Sequence, residues 1–435
     1  MRALLDSSAV ETELKRDSLV EFAARHLRHN FTVMTLDYAN FSLLMSFVSV
    51  STILPAFLER LGAPNMAIGA MPALQTVGYA LPALLVANYA ERLPRKLPFI
   101  LWMGIPERLS TLLLAGVAFL LAARWPAAAL VSALLAFAML VFFGGAIMPA
   151  WTDMFAKVMP VSHRGRQLAA SSAAGALFGV GGAALSGYFL RAYPFPHSYA
   201  YCFLAAFGAG CLSFLFLALT REPAAVGVKD NVPLRAYLRQ LPAVLRRDHS
   251  FAWYLASKSI GVLGAMGYGF YTVFALRTLK APEWQVGTFT LALLAGQTLA
   301  SVGLGFVGDR YGHKRVLLAG SGCLLLANLV ALAATHTTHI YVVFLLMSVS
   351  LAAGVVSDNN LALEFAPEAE RPTYVALNMS LVAPLAFVSP LIGGLLADSV
   401  SYRAVFLVSA LAGAISWAVL AAKVREPRHR SAFGV

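Results

Sequence analysis

Twelve stretches of this sequence each match, in length and apolar character, a helix that crosses a lipid bilayer, and nothing else in the chain constrains its fold as strongly. A crossing helix needs about 20 mostly apolar residues, and it satisfies its backbone polar groups within the segment. The runs lie near 31–58, 65–89, 97–123, 127–156, 168–192, 199–220, 251–277, 283–308, 314–335, 340–364, 374–398 and 402–423. Composition agrees: 59% of the 435 residues are hydrophobic and 12% are charged. The mean hydropathy is +0.72. A water-soluble chain of this length would need far more polar surface to cover its core. The expected fold class is all-α integral membrane, with twelve transmembrane helices.

A formal net charge of +12 invites a nucleic-acid reading, but the charge is distributed differently. With the N-terminus placed in the cytoplasm, 25 of the 33 Lys and Arg fall in cytoplasmic segments, 6 in external loops and 2 inside spans. That is the positive-inside pattern. It predicts that both termini are cytoplasmic and that no nucleic acid is bound. Residues 1–30 are polar and mixed in charge, without a signal-peptide pattern, and read as a cytoplasmic segment. Cys202, Cys211 and Cys323 are scattered through apolar spans, so neither a metal site nor a disulfide framework is expected. Short external loops and the lack of a signal suit a bacterial inner membrane.

The chain is also a duplication. Leu61, Ala63, Pro64 and Gly69 recur 218 residues later as Leu279, Ala281, Pro282 and Gly287. At the same offset Glu91-Arg92 meets Asp309-Arg310, and Lys96 meets Lys314. Pro160 and Arg164 recur as Pro367 and Arg371, Tyr199 and Phe203 as Tyr402 and Phe406, and Arg221-Glu222-Pro223 as Arg425-Glu426-Pro427. The order is kept and the offset drifts little, so each half holds six spans of one design. The expected organisation is a first bundle at 31–220, a basic linker with one short surface helix at 221–250, a second bundle at 251–423 and a cytoplasmic tail at 424–435.

After the eighth span the chain reads Gly305-Phe-Val-Gly308-Asp309-Arg310-Tyr311-Gly312-His313-Lys314-Arg315. This resembles the signature loop of the major facilitator superfamily. Its copy after the second span, with Glu91, Arg92 and Lys96, is degenerate, and Pro94 replaces the second Gly. The resemblance covers roughly residues 31–427. It implies two pseudo-symmetric six-helix bundles, a solute site between them and a monomer. It also implies a cytoplasmic gate built on Gly305, Asp309, Arg310, Gly312 and Lys314, with Glu91 and Arg92 as the weaker copy. The alternative is that these charges anchor a loop at the lipid headgroups. A glycine-rich run in span 5 (Gly175, Gly179, Gly181, Gly182) and Ser389-Pro390 with Gly393-Gly394 in span 11 read as close helix packing.

Ionisable residues inside a membrane are costly and are functional candidates by default. Six stand out: Asp37, Glu107, Arg108, Asp153, Lys258 and Asp358. By the resemblance, spans 1, 4, 7 and 10 line the central cavity, and four of the six fall there. Asp37, Asn40 and Phe41 share a helix face by their spacing. Lys258 lies 218 residues after Asn40. Asp37 and Lys258 sit at similar depth, which allows them to pair across the halves or one of them to bind a charged solute; an inner-gate network without solute contact is the alternative. Asp358 and Asn359 sit near the inner end of span 10. Glu107 and Arg108 follow Pro106 in span 3, which the resemblance makes peripheral. Adjacent helix residues do not face each other; Arg108 reads as structural, tied to neighbouring helices, while Glu107 reads equally as a proton carrier or as such a tie. Gln75, Phe142, Phe143, Trp151, Tyr268, Tyr271, Gln297 and Asn378 are candidates for shaping a cavity.

No catalytic motif is present, and Gly303-Leu-Gly305-Phe-Val-Gly308 matches a dinucleotide fingerprint only in spacing, with no strand before it. The expected activity is not enzymatic, and no cofactor is implied. The reading is a secondary transporter of a small organic solute, proton-coupled, with efflux ahead of uptake. An uncoupled facilitator and a translocator of lysolipids or similar amphiphiles stand as alternatives.

Overall fold

The computed structural model describes residues 21–224, 245–367 and 370–426, without the side chains of Asn88, Glu91, Arg371, Pro372, Val375, Ala376 and Ser380. The segments expected at 1–30, 221–250 and 424–435 fall partly outside the described residues, and the surface helix expected in the linker lies outside them.

Eleven helical spans have the length and apolar character to cross a membrane: Asn65–Ala87, Leu97–Leu121, Pro126–Val158, Val161–Ala192, His197–Ala218, His249–Arg277, Trp284–Tyr311, His313–Ala333, Thr337–Phe365, Leu377–Ser399 and Tyr402–Lys423. These are spans 2 to 12. Span 1 precedes them in two pieces, Leu27–Phe47 and Ile53–Arg60. It carries more polar residues than the others because Asn30, Asp37 and Asn40 are buried within it. The fold is the all-helical one expected, with twelve spans.

The sequence pattern presents spans 1 and 7 as continuous, yet both are broken, at repeat-related places. Span 7 runs as His249–Gly264, a tight turn at Met266–Gly269, and Tyr271–Arg277. Backbone groups freed inside a bilayer need partners, and the other spans supply them. The Thr272 hydroxyl donates to the Ser51 carbonyl at 2.7 Å, and the Thr52 and Thr290 hydroxyls meet at 2.6 Å. In span 9, Asn328 is completely buried. Its amide donates to the Gly264 carbonyl at 3.0 Å, while its own carbonyl accepts from Tyr271 at 2.8 Å.

Within the first half, span 1 packs on spans 5 and 6, span 2 on span 4, and span 3 on spans 4 and 6. The second half repeats the pattern: span 7 packs on span 12, span 8 on span 10, and span 9 on spans 10 and 12. The halves meet most extensively along two pairs, span 2 with span 11 and span 5 with span 8, with smaller contacts from the broken parts of spans 1 and 7. Both seams are made by residues without bulk. A Cβ on Gly287 would lie 2.3 Å from the Gly187 backbone, and one on Gly394 would lie 2.7 Å from Met66 Cα. Helices in lipid associate by such close backbone approach.

The bundle has two ends. The linker end carries the joints after spans 2, 4, 6, 8 and 10, and the far end carries the others. At the far end the halves are fastened together. Asp398, at the end of span 11, accepts from the backbone N–H groups of Asn65 and Met66, each at 2.9 Å. A carboxylate there satisfies the unpaired donors at the start of span 2 and favours its dipole. Arg277 donates to the Ala63 carbonyl at 2.8 Å and the Asn65 side chain at 3.2 Å, and lies 3.5 Å from Glu59. Arg60 pairs with Glu283 at 2.8 Å.

Candidate functional site

At the linker end each half is tied within itself, and the ties repeat. Glu222, just beyond span 6, accepts from the backbone N–H of Lys96 and of Leu97, each at 2.8 Å, and so caps span 3. Lys96 is buried, and its ammonium donates to the Ala90 and Leu93 carbonyls at 2.6 Å, closing the end of span 2. Asp153 lies 3.3 Å from Lys96 and 3.0 Å from Lys157. Burial and then the Lys157 charge pull Lys96 below the ordinary lysine range, while Asp153 and Glu222 oppose them. Asp153 thus belongs to this knot at the end of a 33-residue helix. In the second half, the Lys314 ammonium donates to the Ala421 carbonyl at 3.1 Å, at the end of span 12.

Gly312 separates spans 8 and 9 with φ of +94°, a conformation open to glycine. A Cβ there would lie 2.6 Å from the Glu426 carboxylate, the repeat mate of Glu222. Asp309, Arg310 and Arg92 are exposed at this end. Arg310 and Arg315 both lie over the Tyr311 ring, at 5.4 and 5.8 Å. Gly305 lies within span 8. The Glu91 side chain lies outside the described residues.

Deeper in the first half, the structure brings Asp37 of span 1 together with Glu107 and Arg108 of span 3. A cavity of about 220 Å³ is lined by Asp37, Glu107 and Arg108. Its walls include Tyr38, Phe41, Tyr79 and Trp151. The Ser213 hydroxyl donates to Asp37 at 2.6 Å. Arg108 donates to Ser213 at 3.2 Å and to the Glu107 carboxylate. The guanidinium also reaches the Gly104 and Gly210 carbonyls at 3.4 Å and lies 5.4 Å from the centre of the Phe214 ring. All three charged residues are buried, Asp37 at 6% exposure and Glu107 at 3%.

Span 3 packs on spans 4 and 6 of its own half, and its Glu107 and Arg108 line the same first-half cavity as Asp37. One expectation is corrected. The two residues meet despite being adjacent, because the arginine side chain is long enough to fold back along its own helix and reach both Gly104 and Glu107. Asn40 is not among the lining residues. Its amide donates to the Leu36 carbonyl one turn back, at 2.8 Å.

Asp37 and Lys258 do not pair across the halves. Lys258 donates to Asp358 at 2.7 Å, to the Asn378 side chain at 2.9 Å and to the Asn378 carbonyl at 3.2 Å. Asn378 donates to the same Asp358 oxygen at 3.1 Å, and Tyr254 donates to the other at 2.6 Å. The second half therefore holds a charge-balanced cluster joining spans 7, 10 and 11. Asn359, next to Asp358, is exposed. A second, apolar cavity of about 200 Å³, lined by Pro72, Met266, Tyr268 and Pro390 among others, lies between spans 2, 7 and 11.

Sequence reasoning missed Ser213, Tyr79, Tyr254 and the capping role of Glu222. Serine and tyrosine carry no signal among many like them in apolar spans. Glu222 did carry one, as half of the duplicated Arg-Glu-Pro at the end of spans 6 and 12.

Comparison with known proteins fits this architecture. The chain shares the fold of a single-residue variant of the nucleoside transporter NupG, with a TM-score of 0.69 at 13% identity, covering 91% of this chain and 100% of that one. It also superposes on a D-xylose-proton symporter, with a TM-score of 0.64 at 15% identity over 93% and 99% of the chains. A curated relative, the chloramphenicol resistance protein CraA of Acinetobacter baumannii, is 31% identical over 151 residues. That match spans about a third of each protein, 34% of this chain and 35% of the relative. The family model described as Major Facilitator Superfamily matches residues 36–280 and 276–434. With both halves matched and the fold shared end to end, the chain belongs to the major facilitator superfamily of membrane transporters.

Proposed function

We propose that this transporter moves a small organic solute by alternating access, exchanging it for protons, with efflux ahead of uptake, in a bacterial inner membrane. The observation that carries the reading is the charge count in the first-half cavity: two carboxylates, Asp37 and Glu107, against one guanidinium, Arg108, which contacts Glu107 directly and Asp37 through Ser213. A surplus buried negative charge in a membrane interior is costly. A proton or a cationic group offsets it, and whichever one leaves must be replaced. That requirement couples the two.

The far-end fastenings support the alternating part. Asp398 on the start of span 2, Arg277 on Ala63 and Arg60 on Glu283 all join one half to the other. They must part for a path to open there. With both termini cytoplasmic, the far end is the outer one. We assign Asp309 and Arg310, with Glu91 and Arg92, to the opposing gate. The partial relative named for chloramphenicol resistance favours efflux.

The test uses purified protein in liposomes with a trapped pH dye, while solutes are added class by class. Lysolipids are included in the panel. A solute-dependent pH change that disappears in Asp37→Asn or Glu107→Gln is the expected result. Labelled solute equilibrating without any pH change would replace this reading with an uncoupled facilitator. Competition by lysolipids alone would make the cargo an amphiphile handed between leaflets.

A further inference from the structure

We infer that the solute class is a small amphipathic organic cation, whose positive head is held by Asp37 against the aromatic wall of the first-half cavity. The inference rests on the function proposed above and names the substrate of that same site.

The two carboxylates are not equivalent. Glu107 is in direct contact with Arg108. Asp37 reaches that arginine only through Ser213, whose hydroxyl gives Asp37 its one hydrogen bond among the described residues. Asp37 is more than nine-tenths buried yet lines the cavity, so a carboxylate oxygen remains free to take a ligand. The titratable and charged groups facing it around the cavity are Glu107 and Arg108 from span 3, Tyr79 from span 2 and Tyr38 on its own helix. Their formal sum, with Asp37 ionised, is one negative charge.

The wall beside Asp37 suits a cation with an apolar body. Tyr38 and Phe41 lie near it in sequence on span 1, and Trp151 of span 4 lines the same cavity. Aromatic faces attract organic cations, and more strongly as the site dries. Beyond the charged and tyrosine groups the lining is mostly apolar, including Ile147, Met148 and Leu217. A volume of about 220 Å³ lies below the roughly 300–1,000 Å³ of drug-sized sites, so the ligand is small.

The second half argues against an anionic solute. The Lys258 ammonium has three hydrogens, and three oxygens of Asp358 and Asn378 already accept them. An incoming anion would have to break that cluster. Arg108 is engaged by Glu107, Ser213 and two carbonyls. A cation finds a vacant partner in Asp37; an anion finds no vacant cation in either cluster.

The exchange balances simply: when the cation binds, the carboxyl proton leaves to solvent, and when the cation leaves, a proton returns. A quaternary ammonium probe makes this readable, since it cannot itself donate or accept a proton. Binding of radiolabelled benzyltrimethylammonium to the purified full-length protein is measured in weakly buffered solution, with pH followed in parallel. Chloramphenicol and phenylacetate serve as neutral and anionic one-ring comparators. The expected result is tenfold or tighter preference for the quaternary cation, with about one proton released per cation bound. Asp37→Asn should lose at least tenfold in cation binding together with the proton release, and Asp37→Glu should recover both. If Asp37→Asn does not fold, Trp151→Ala supplies the test, weakening the cation several-fold more than the neutral comparator.

Equal binding of all three probes, or preference for phenylacetate, overturns the cation assignment. The two proposals fail separately. A neutral or anionic solute that drives protons through Asp37 in liposomes sinks the cation class and leaves proton coupling standing. A cation that binds and crosses without moving a proton sinks the coupling and leaves the class.

Discussion

At the scale of single residues, the two halves use their buried charges in opposite ways. The Lys258–Asp358 pair is neutral and saturated by Tyr254 and Asn378, so its plainest role is to hold spans 7, 10 and 11 in register. Removing one partner of a buried pair strands the other. Both side chains are about a quarter exposed, so solvent takes part of the load. Lys258→Met should therefore lower stability by about 1–3 kcal/mol, below the ~3–5 kcal/mol of a fully buried pair. Adding Asp358→Asn should recover part of that loss. Thermal unfolding in detergent for the two singles and the double gives the coupling. Strict additivity would mean that the pair contributes nothing as a pair. The Asp37 cluster behaves differently, because its charges do not cancel.

Elements are held at their ends by repeat-related devices. Glu222 caps span 3, and Lys96 and Lys314 close spans 2 and 12. Glu222→Ala should cost about 1–2 kcal/mol, the usual loss for a helix cap, since the Lys96 and Leu97 N–H groups lose their partner with it. A melting temperature unchanged in that variant would show that water replaces the cap. The pair of Gly187 and Gly287 tests the seam between spans 5 and 8. A side chain on Gly287 would collide with the Gly187 backbone, which cannot move aside as a flexible side chain would. Gly287→Val should shift the population toward a far-end-open state. Faster labelling of a cysteine placed at Ala63, near the Arg277 contact, would report it. Labelling unchanged from the wild-type background would mean that this seam does not set the closed state.

For the whole molecule, much was legible in the sequence because the bilayer enforces it. Long apolar runs and the duplication gave twelve spans in two halves, since a lipid-crossing backbone has few alternatives. The breaks in spans 1 and 7 were not legible. Val48 to Thr52 and Ala265 to Phe270 carry no proline, and the groups that stabilise them come from distant spans. The candidate site was legible in its members and not in its grouping. Asp37, Glu107, Lys258 and Asp358 stand out as charges in apolar runs, but helix rotation decides which of them meet. Helical spacing argued that Glu107 and Arg108 diverge, and a flexible guanidinium overrode it. The signature loop was legible down to Gly312, whose positive φ and contact with Glu426 explain why glycine is needed there. Pro94 at the repeat-related place shows that the first half turns by another route.

Coupling of solute movement to protons by the surplus carboxylate of the first half is read out by solute accumulation in liposomes under an imposed pH gradient, comparing the wild type with Asp37→Asn/Glu107→Gln. The wild type should concentrate solute and collapse to equilibration when the gradient is dissipated. The double variant should equilibrate labelled solute more slowly, since Asp37 also holds the solute, and should never concentrate it. Concentration by the double variant that still follows the pH gradient would contradict the account and return both carboxylates to a structural role.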